Sequence, residues 1–215
     1  MTTETPRPII IDLKRVMMFA DTPGVEGKRS KLVWSVRDGH PRISVFTNDP
    51  KDTTNKGIIS APMNPETFYA FLDLIENSIK ADNEVIYKVE CLTAKRDAEG
   101  KVNYNDKVHV SDAYAGKDAN GMVWISLVAA NRPKIKFNFK VSDYHKIYKG
   151  GVPLTESEAS CIQATATVNI VRAAFYPLVS TNSVVNGNNG NTNTNESATV
   201  NSKPSVATFT EDIPF

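Results

Sequence analysis

The sequence predicts a mainly β domain with one main helix, followed by a disordered C-terminal tail. Three observations support this prediction. Short segments rich in β-branched and aromatic residues are separated by turn-forming residues through most of the chain. One segment in the first half of the chain instead repeats apolar residues at helical spacing. Beyond residue 180 the composition changes abruptly to Asn, Ser, Thr and Gly. Seven or eight strands with one helix are typical of a small barrel or sandwich.

The predicted strands are segments in which apolar residues alternate with polar ones or in which β-branched and aromatic residues are enriched. They comprise residues 9–19, 31–37, 42–47, 84–91, 107–115, 122–130, 134–141 and 162–170. Turns are predicted at residues 38–41 (Asp-Gly-His-Pro) and at residues 117–121, a hairpin loop whose Asn-Gly supplies positive φ at little cost. Residues 155–158 have the pattern of a capping box that would open a helix. The strict alternation over residues 162–170 nevertheless favours a strand there.

The main helix is predicted to begin at Pro65, because its sequence combines several helix-start signals. Asn64 is a favourable N-cap, Pro65 suits the first helical position, and Glu66 favours the positive end of the helix. The apolar residues that follow share one face at helical spacing. They are Phe68, Phe71, Leu72, Ile75 and Ile79, with Asp73, Glu76 and Lys80 on the side facing water.

The bulk composition is that of a soluble globular protein, with 40% hydrophobic and 23% charged residues among 215. Its longest apolar runs are too short to span a bilayer, and residues 1–6 lack the features of a secretory signal. Cys91 and Cys161 lie in apolar segments 70 residues apart, which indicates buried thiols in a reducing compartment rather than a disulfide. The sequence therefore predicts a cytoplasmic protein that does not associate with membranes.

The formal net charge of +1 conceals a difference between two parts of the chain. Residues 181–215 contain one lysine and three acidic residues, which gives this part a net charge of −2. The first 180 residues consequently carry a net charge of +3. This value is too mild for an overall basic surface, so any surface for nucleic acid must be a local patch.

The C-terminal region divides into a linker and a short tip. Residues 181–204 contain eight Asn together with Gly, Ser and Thr and no aromatic residue, so they cannot bury enough apolar surface to offset the entropy of ordering. Apolar residues return in residues 209–215, interleaved with acids. We therefore divide the chain into a domain at residues 1–178, a disordered linker at 179–208 and an acidic tip at 209–215.

The last residues of the tip, Asp212-Ile213-Pro214-Phe215 preceded by Glu211, resemble the acidic C-terminal tip of bacterial single-stranded DNA-binding proteins. The Thr at position 210 departs from the acidic pattern of that family. The resemblance covers these residues and the order of linker and tip, and it implies that the tip docks replication, recombination and repair proteins. Physically, an aromatic ring, a stiff proline and adjacent acids can engage an apolar pocket with a basic rim. The alternative is a frayed tail without a partner.

The predicted body is similar in architecture, but not in motif, to the OB-fold barrel of that family and of several phage counterparts. The chain as a whole resembles a divergent phage single-stranded DNA-binding protein with a bacterial-type tip. This resemblance implies an OB-fold-like barrel that binds single-stranded DNA in the bacterial host cytoplasm if the protein is phage-encoded. The sequence leaves formation of a homo-oligomer open.

Non-specific binding of single-stranded DNA requires cations for the phosphates and aromatic rings for the bases. In residues 134–141, alternation places the lysines on one face and Ile135, Phe137 and Phe139 on the other. The candidate DNA-binding residues are Trp34, Arg37, Arg42, Phe46, Tyr104, Tyr114, Trp124, Lys134, Lys136 and Lys140. For each aromatic residue the alternative is a place in the core, and for each lysine it is ordinary solvation.

An enzymatic function receives no support from the sequence. His40, His109 and His145 lack the spacing of a zinc site, and phosphate-binding glycine loops and nucleophile elbows are not found. We therefore expect no catalytic residues, metal or cofactor. The expected function is to coat and protect single-stranded DNA during replication, recombination and repair. The alternatives are a strand-annealing recombination mediator, or an adaptor that uses the tip and has no affinity for nucleic acid.

Overall fold

The computed structural model describes residues 10–37, 40–97 and 99–185, which form eleven strands and two α-helices. In chain order they are β1 (Ile10–Asp12), β2 (Met18–Asp21), β3 (Arg29–Arg37), β4 (His40–Phe46), β5 (Ile58–Pro62), α1 (Pro65–Lys80), β6 (Val85–Arg96), β7 (Val102–Lys117), β8 (Val123–Val128), β9 (Ile135–Asn138), β10 (Tyr148–Lys149), β11 (Val152–Pro153) and α2 (Glu156–Val185). The prediction of a mainly β domain is confirmed. The sequence analysis missed β5 and the small β10–β11 hairpin.

The first sheet is antiparallel and is built around β3. One edge of β3 pairs with both β1 and β2, and the other edge pairs with β4, which in turn pairs with β5. Between β1 and β2, the backbone N–H of Leu13 donates to the carbonyl of Trp34 at 2.9 Å, so the connection stays against β3. This sheet therefore holds nearly the whole length of β3 between two neighbours.

The second sheet is antiparallel, in the order β6-β7-β8-β9. β8 pairs with β7 only over residues 112–117, whereas β6 and β7 continue together to Arg96 and Val102. The outer parts of β6 and β7 therefore project as a two-stranded arm, with register shifts at Cys91/Leu92 and Ala94/Lys95. Shifts of this kind are where paired strands bend and twist.

The two sheets lie against each other without forming a closed barrel. β2 contacts β9, and β5 contacts β7, where the hydroxyl of Ser111 donates to the carbonyl of Ser60 at 2.8 Å. Within the described ranges, no ladder of backbone hydrogen bonds joins the two sheets. The expected OB-fold-like barrel is therefore observed only at the coarser level of two antiparallel sheets covered by helices.

Helix α1 forms where the sequence predicts it and for the predicted reasons. The Asn64 side chain accepts a hydrogen bond from the backbone N–H of Thr67 at 2.8 Å, and Pro65 is the first helical residue. At the other end, the Lys117 ammonium donates to the carbonyl oxygens of Ala81 (2.6 Å) and Ile79 (3.3 Å), which compensates carbonyls without helical partners. The helix thus has both ends capped.

The predicted strand at residues 162–170 is wrong, because this segment belongs to α2. A reciprocal capping box opens the helix: Thr155 N–H donates to the Glu158 carboxylate at 2.9 Å, and Glu158 N–H donates to Thr155 Oγ1 at 3.3 Å. The buried positions recur every three or four residues, as a helix requires. They are Ser160, Ala164, Thr167, Val168, Val171 and Phe175. Ile162 and Ile170, which a strand would have buried, are 46% and 50% exposed.

Helix α2 also extends beyond the predicted domain boundary at residue 178. Its backbone is helical to Val185, so the first seven residues of the predicted linker continue the helix. The remainder of the linker and the tip, including Glu211 and Asp212 to Phe215, lie outside the described residues. The structure therefore contains two long helices where the sequence analysis expected one.

An aromatic cluster joins both helices to the first sheet. Phe68 of α1 stacks on Phe175 of α2 at 5.0 Å between ring centroids, and it meets Trp34 of β3 edge-to-face at 6.1 Å. All three rings are fully buried. On the outer side of this contact, the guanidinium of Arg172 pairs with Asp73 and Glu76 of α1. The two helices are therefore fastened by an apolar contact inside and ion pairs outside.

A buried ion pair connects the loop after β4 to the loop between β8 and β9. Nη2 of Arg132 donates to Oδ2 of Asp52 at 2.6 Å, and Nε lies 2.6 Å from Oδ1 in ion-pair contact. The side chains are only 6% and 3% exposed. Burial by itself raises the pKa of Asp52, but hydrogen bonds from Arg132 and Thr47 and the charge of Arg132 outweigh it and hold the pKa below its ordinary value.

This ion pair predicts an acid-sensitive contribution to stability. Because the pKa of Asp52 is lowered in the folded state, the contribution is complete above the ordinary value of 3.8 and is lost as the pH falls through the lower folded pKa. We expect Asp52→Asn to reduce the free energy of unfolding at neutral pH by about 3–5 kcal/mol, since Arg132 is left buried without its counter-charge. Urea denaturation at pH 7 and in steps down to about pH 2 measures both effects.

The matched control is Asp82→Asn, which changes an exposed aspartate by the same chemistry. It should leave the stability at pH 7 close to that of the wild type. An Asp52→Asn variant with the same acid-induced loss of stability as the wild type would contradict the assignment.

Candidate nucleic-acid interface

The outer face of the second sheet carries a cluster of aromatic and basic side chains. The strands β7, β8 and β9 lie side by side, with Tyr114 paired to Ser126 and Ser126 paired to Lys136. On β8, Val123, Ile125 and Leu127 are buried, so alternation turns Trp124 and Ser126 to the opposite face. Trp124 and Tyr114 are each partly exposed there.

Gly116 allows the indole of Trp124 to lie across the neighbouring strand β7. A Cβ at this position would come within 2.8 Å of Cζ2 and 3.0 Å of Cε2 of Trp124, and within 2.5 Å of the backbone oxygen of Val85. Such distances are shorter than van der Waals contact, so only glycine permits the approach. The ring is thereby supported from below by backbone rather than by a side chain.

A shallow hollow of about 290 Å³ lies next to the indole. It is lined by Ile86, Tyr114, Trp124, Ser126, Val128, Lys134 and Lys136. Ile86, the second residue of β6, is 57% exposed and adds an apolar side chain to the hollow. An apolar floor with aromatic walls and lysines at the rim can accept a planar ring whose substituents are anionic.

Lys136 makes two contacts that fix its charge near the hollow. Its ammonium lies 5.2 Å from the centre of the Trp124 ring and 2.5 Å from Oδ2 of Asp118 in the turn between β7 and β8. Burial raises the pKa of Asp118, but the hydrogen bonds from Lys136 and from the Met122 backbone and the charge of Lys136 outweigh it, so the pKa is lowered. The carboxylate is thus ionised and partly neutralises this lysine.

Trp34 must be removed from the set of candidate DNA-binding residues. Its side chain is 0% exposed and packs against Phe68, so no base can stack on it. The physical reason is the alternation within β3, where Leu32, Trp34 and Val36 face the helices.

The remaining candidates lie at three other places. Arg37, Arg42 and Phe46 share the outer face of the β3–β4 pair, where the Lys31 ammonium lies 4.4 Å from the centre of the Phe46 ring. Tyr104 is 79% exposed on the projecting arm. Lys140 lies just beyond β9 and lines a separate hollow of about 460 Å³. The structure therefore brings together Tyr114, Trp124, Lys134 and Lys136, but not the whole predicted set.

Sequence reasoning missed Ile86 and the exposed loop that follows Lys140. Ile86 carried a signal, because the alternation over residues 84–91 places it on the same face as Glu84, Lys88 and Glu90. The loop carried a signal as well, since residues 140–149 interleave lysines with tyrosines.

Neither of the two helices is long and apolar enough to cross a membrane. Residues 10–37, 40–97 and 99–185 contain no group of three or more His, Cys, Asp or Glu side chains suited to a metal ion.

With the geometry in place, the chain was compared with known proteins. None of the protein-family models, curated proteins or solved structures that were compared with the chain matches it.

Proposed function

We propose that this protein binds single-stranded DNA without sequence specificity through the outer face of the β6–β9 sheet, and that it coats and protects the strand during replication, recombination and repair. The observation that carries the proposal is the indole of Trp124, held across Gly116 on the surface of a sheet with Tyr114 and two lysines around it. A partly exposed tryptophan on the surface of a sheet can serve as a platform for a base, and every base offers a π-face.

The chemistry of the face suits a strand whose bases are unpaired. Stacking requires a base to leave its duplex neighbours, so duplex DNA would present only phosphates to this surface. Lys134 and Lys136 flank the hollow, and a phosphate can replace Asp118 as the partner of Lys136. The hydroxyl of Ser126, which lines the hollow, is buried and already donates to the carbonyl of Ile135 at 2.7 Å. The apolar groups, aromatic rings and lysines of the hollow recognise ring faces and phosphates, which supports binding without sequence preference.

The arrangement of the sheets supports a relationship to an OB-type barrel that is open rather than closed. β2 lies beside β9 and β5 lies beside β7, which are the places where two sheets of this order would join to close a barrel. The proposed interface depends on neighbouring strands within the second sheet, so it requires no closure.

The tip is proposed to recruit partner proteins, as its resemblance to the bacterial proteins implies. Ile213, Pro214 and Phe215 supply apolar groups, and Glu211 and Asp212 supply charges for a basic rim. A linker rich in Asn, Ser and Gly would let the tip reach proteins near the bound strand and raise their effective concentration.

The first test of the proposal uses the two tryptophans of the chain. Saturating amounts of poly-dT should change the intrinsic fluorescence of the wild type, because a base stacks on Trp124. The change should disappear in Trp124→Phe and persist in Trp34→Phe, which keeps an aromatic ring against Phe68. Trp124→Ala should weaken binding by about 1–3 kcal/mol for one lost stack. A fluorescence change that depends on Trp34 instead would refute the assigned site.

The second test is the response to salt and to strandedness. Log affinity for a poly-dT oligonucleotide should fall linearly with log salt, with a slope of about −0.7 for each phosphate neutralised. Duplex DNA of the same length should bind far more weakly. Equal affinity for single-stranded and duplex DNA would exclude the proposal. No affinity for either form would favour the alternative of an adaptor without nucleic-acid affinity. Accelerated pairing of complementary strands would favour the alternative of a strand-annealing mediator.

The third test separates the tip from the DNA-binding face. Deleting Asp212 to Phe215, or changing Phe215 to Ala, should abolish the capture of replication and repair proteins in pull-downs. Affinity for single-stranded DNA should stay equal or rise slightly, because the deleted acids repel phosphate and compete for the basic groups. If the truncation instead cripples DNA binding while partners still bind, the tip belongs to the DNA site.

A further inference from the structure

The loop between β9 and α2 combines exposed tyrosines with lysines in a short stretch. Tyr144 is 94% exposed and Tyr148 is 56% exposed, and Lys140, His145, Lys146 and Lys149 are also exposed. Asp143 is the only acidic residue within residues 140–149. An exposed tyrosine in an ordered segment leaves a large apolar ring in water, and two of them among cations have the composition of a surface for nucleic acid.

The loop is anchored, so these side chains are presented in a defined arrangement. At its start Phe139 is buried, and its N–H donates to the carbonyl of Val123 at 3.0 Å. At its end the N–H of Leu154 donates to the carbonyl of Ile147 at 2.9 Å, and β10 pairs with β11. Val141, Ile147 and Leu154 are half-buried around the 460 Å³ hollow. The loop is therefore ordered before binding, so binding does not carry the entropy cost of ordering it, which favours affinity.

The lysines of the loop differ in their partners from three lysines of the second sheet, each of which is ion-paired. Lys136 pairs with Asp118, Lys88 with Glu90 and Lys95 with Asp106. In the part of the chain that the structure describes, Lys140 and Lys146 form no ion pair. Lys149 forms none either, although it shares an 810 Å³ hollow with the carboxylates of Asp118 and Glu158. Lys140 and Lys146 likewise share the 460 Å³ hollow with the carboxylates of Asp143 and Glu156. Because neither lysine is ion-paired there, a phosphate can engage them without first breaking a salt bridge.

The loop is continuous with the face that carries Trp124. Lys134 and Lys136 line the hollow beside the indole, and the same chain continues through β9 to the exposed Lys140. A second connection runs through Asp118, which bonds Lys136 on one side and lines a hollow together with Lys149 on the other. Cations and aromatic rings therefore follow one another from the sheet, around the β7–β8 turn, to the loop.

We propose that the loop from Lys140 to Lys149 forms a second contact for the same single strand, with Tyr144 stacking on a base and Lys140 and Lys146 binding phosphates. This inference rests on the proposed function of the Trp124 face, and it sets the course of the strand across the protein. Lys140 lies two residues beyond Asn138, the partner of Trp124 in the sheet, so a strand that leaves the Trp124 hollow meets Lys140 first. A longer oligonucleotide is needed to touch Tyr144 and Lys146 as well.

The test uses the full chain with three substitutions in the loop, Tyr144→Ala, Lys140→Gln and Lys146→Gln. All three side chains are exposed, so the fold should be retained. For an oligo-dT of about 20 nucleotides, which exceeds the usual site of one such domain, we expect affinity to fall about 10- to 100-fold, and the slope of log affinity against log salt to become shallower by about 1.4. For an oligo-dT of about 6 nucleotides the loss should be smaller, because a strand of that length can hold Trp124 and Lys140 but not the whole loop.

The matched control carries Tyr176→Ala, Lys14→Gln and Lys80→Gln, which are the same types of substitution at exposed positions on the two helices and between β1 and β2. It should bind both oligonucleotides as the wild type does. If the wild type binds and Trp124→Ala weakens binding while the loop variant matches the control, the second contact is refuted and the proposed function stands. If the wild type binds neither oligonucleotide, the proposed function itself fails. If the wild type captures a protein in pull-downs and the loop variant does not, the loop binds that protein rather than DNA.

Discussion

The packing of Phe68 between Trp34 and Phe175 is the contact on which the rest of the structure depends. It joins the first sheet to α1 and α1 to α2, and all three rings are removed from water. Each buried ring contributes a large apolar area, and the edge-to-face and stacked geometries add about 0.5–1.5 kcal/mol per pair. Residues 162–170 can take part in this arrangement only as a helix, because Ala164, Val168 and Val171 must share one side with Phe175.

The same packing decides which tryptophan is available on the surface, and this distinction was present in the sequence. In β3, one parity combines Val33 with the polar residues Lys31, Ser35 and Arg37, whereas the other is wholly apolar from Leu32 through Trp34 to Val36, so the pattern assigns Trp34 to the core. In β8, Trp124 has the parity of Ser126, opposite to Val123 and Ile125, so alternation assigns it to the outside. The sequence analysis applied this reasoning to residues 134–141, where the buried Ile135, Phe137 and Phe139 confirm it. Applied to both tryptophans, the same rule would have separated them.

Other features could not be read from local patterns, for physical reasons. An alternation such as that of residues 162–170 fits a strand, but Ala164 and Ala166 are also strong helix formers, and the capping box at Thr155 and Glu158 supplies the start of a helix. The pairing of sheets depends on contacts between residues far apart in the chain, such as Ser60 with Ser111 and Asp52 with Arg132. The alternation within a strand specifies its two faces but not the strands beside it. The sequence therefore predicted α1 and most strands, but not that the two sheets lie together without closing into a barrel.

The charges around Trp124 indicate how the proposed binding energy would divide between bases and phosphates. Lys136 is already paired with Asp118, so a phosphate that takes its ammonium leaves an ionised carboxylate that must be rehydrated and attract a cation of its own. The gain from that exchange is smaller than the gain from a lysine that faces only solvent. The body as a whole carries a net charge of only +3, so its long-range attraction for phosphates is weak. Stacking on Trp124 and Tyr114 would therefore supply the larger share of the affinity at this face. In the proposed binding mode, such a balance would favour unpaired bases over duplex DNA at physiological salt, since a duplex offers phosphates and no accessible rings.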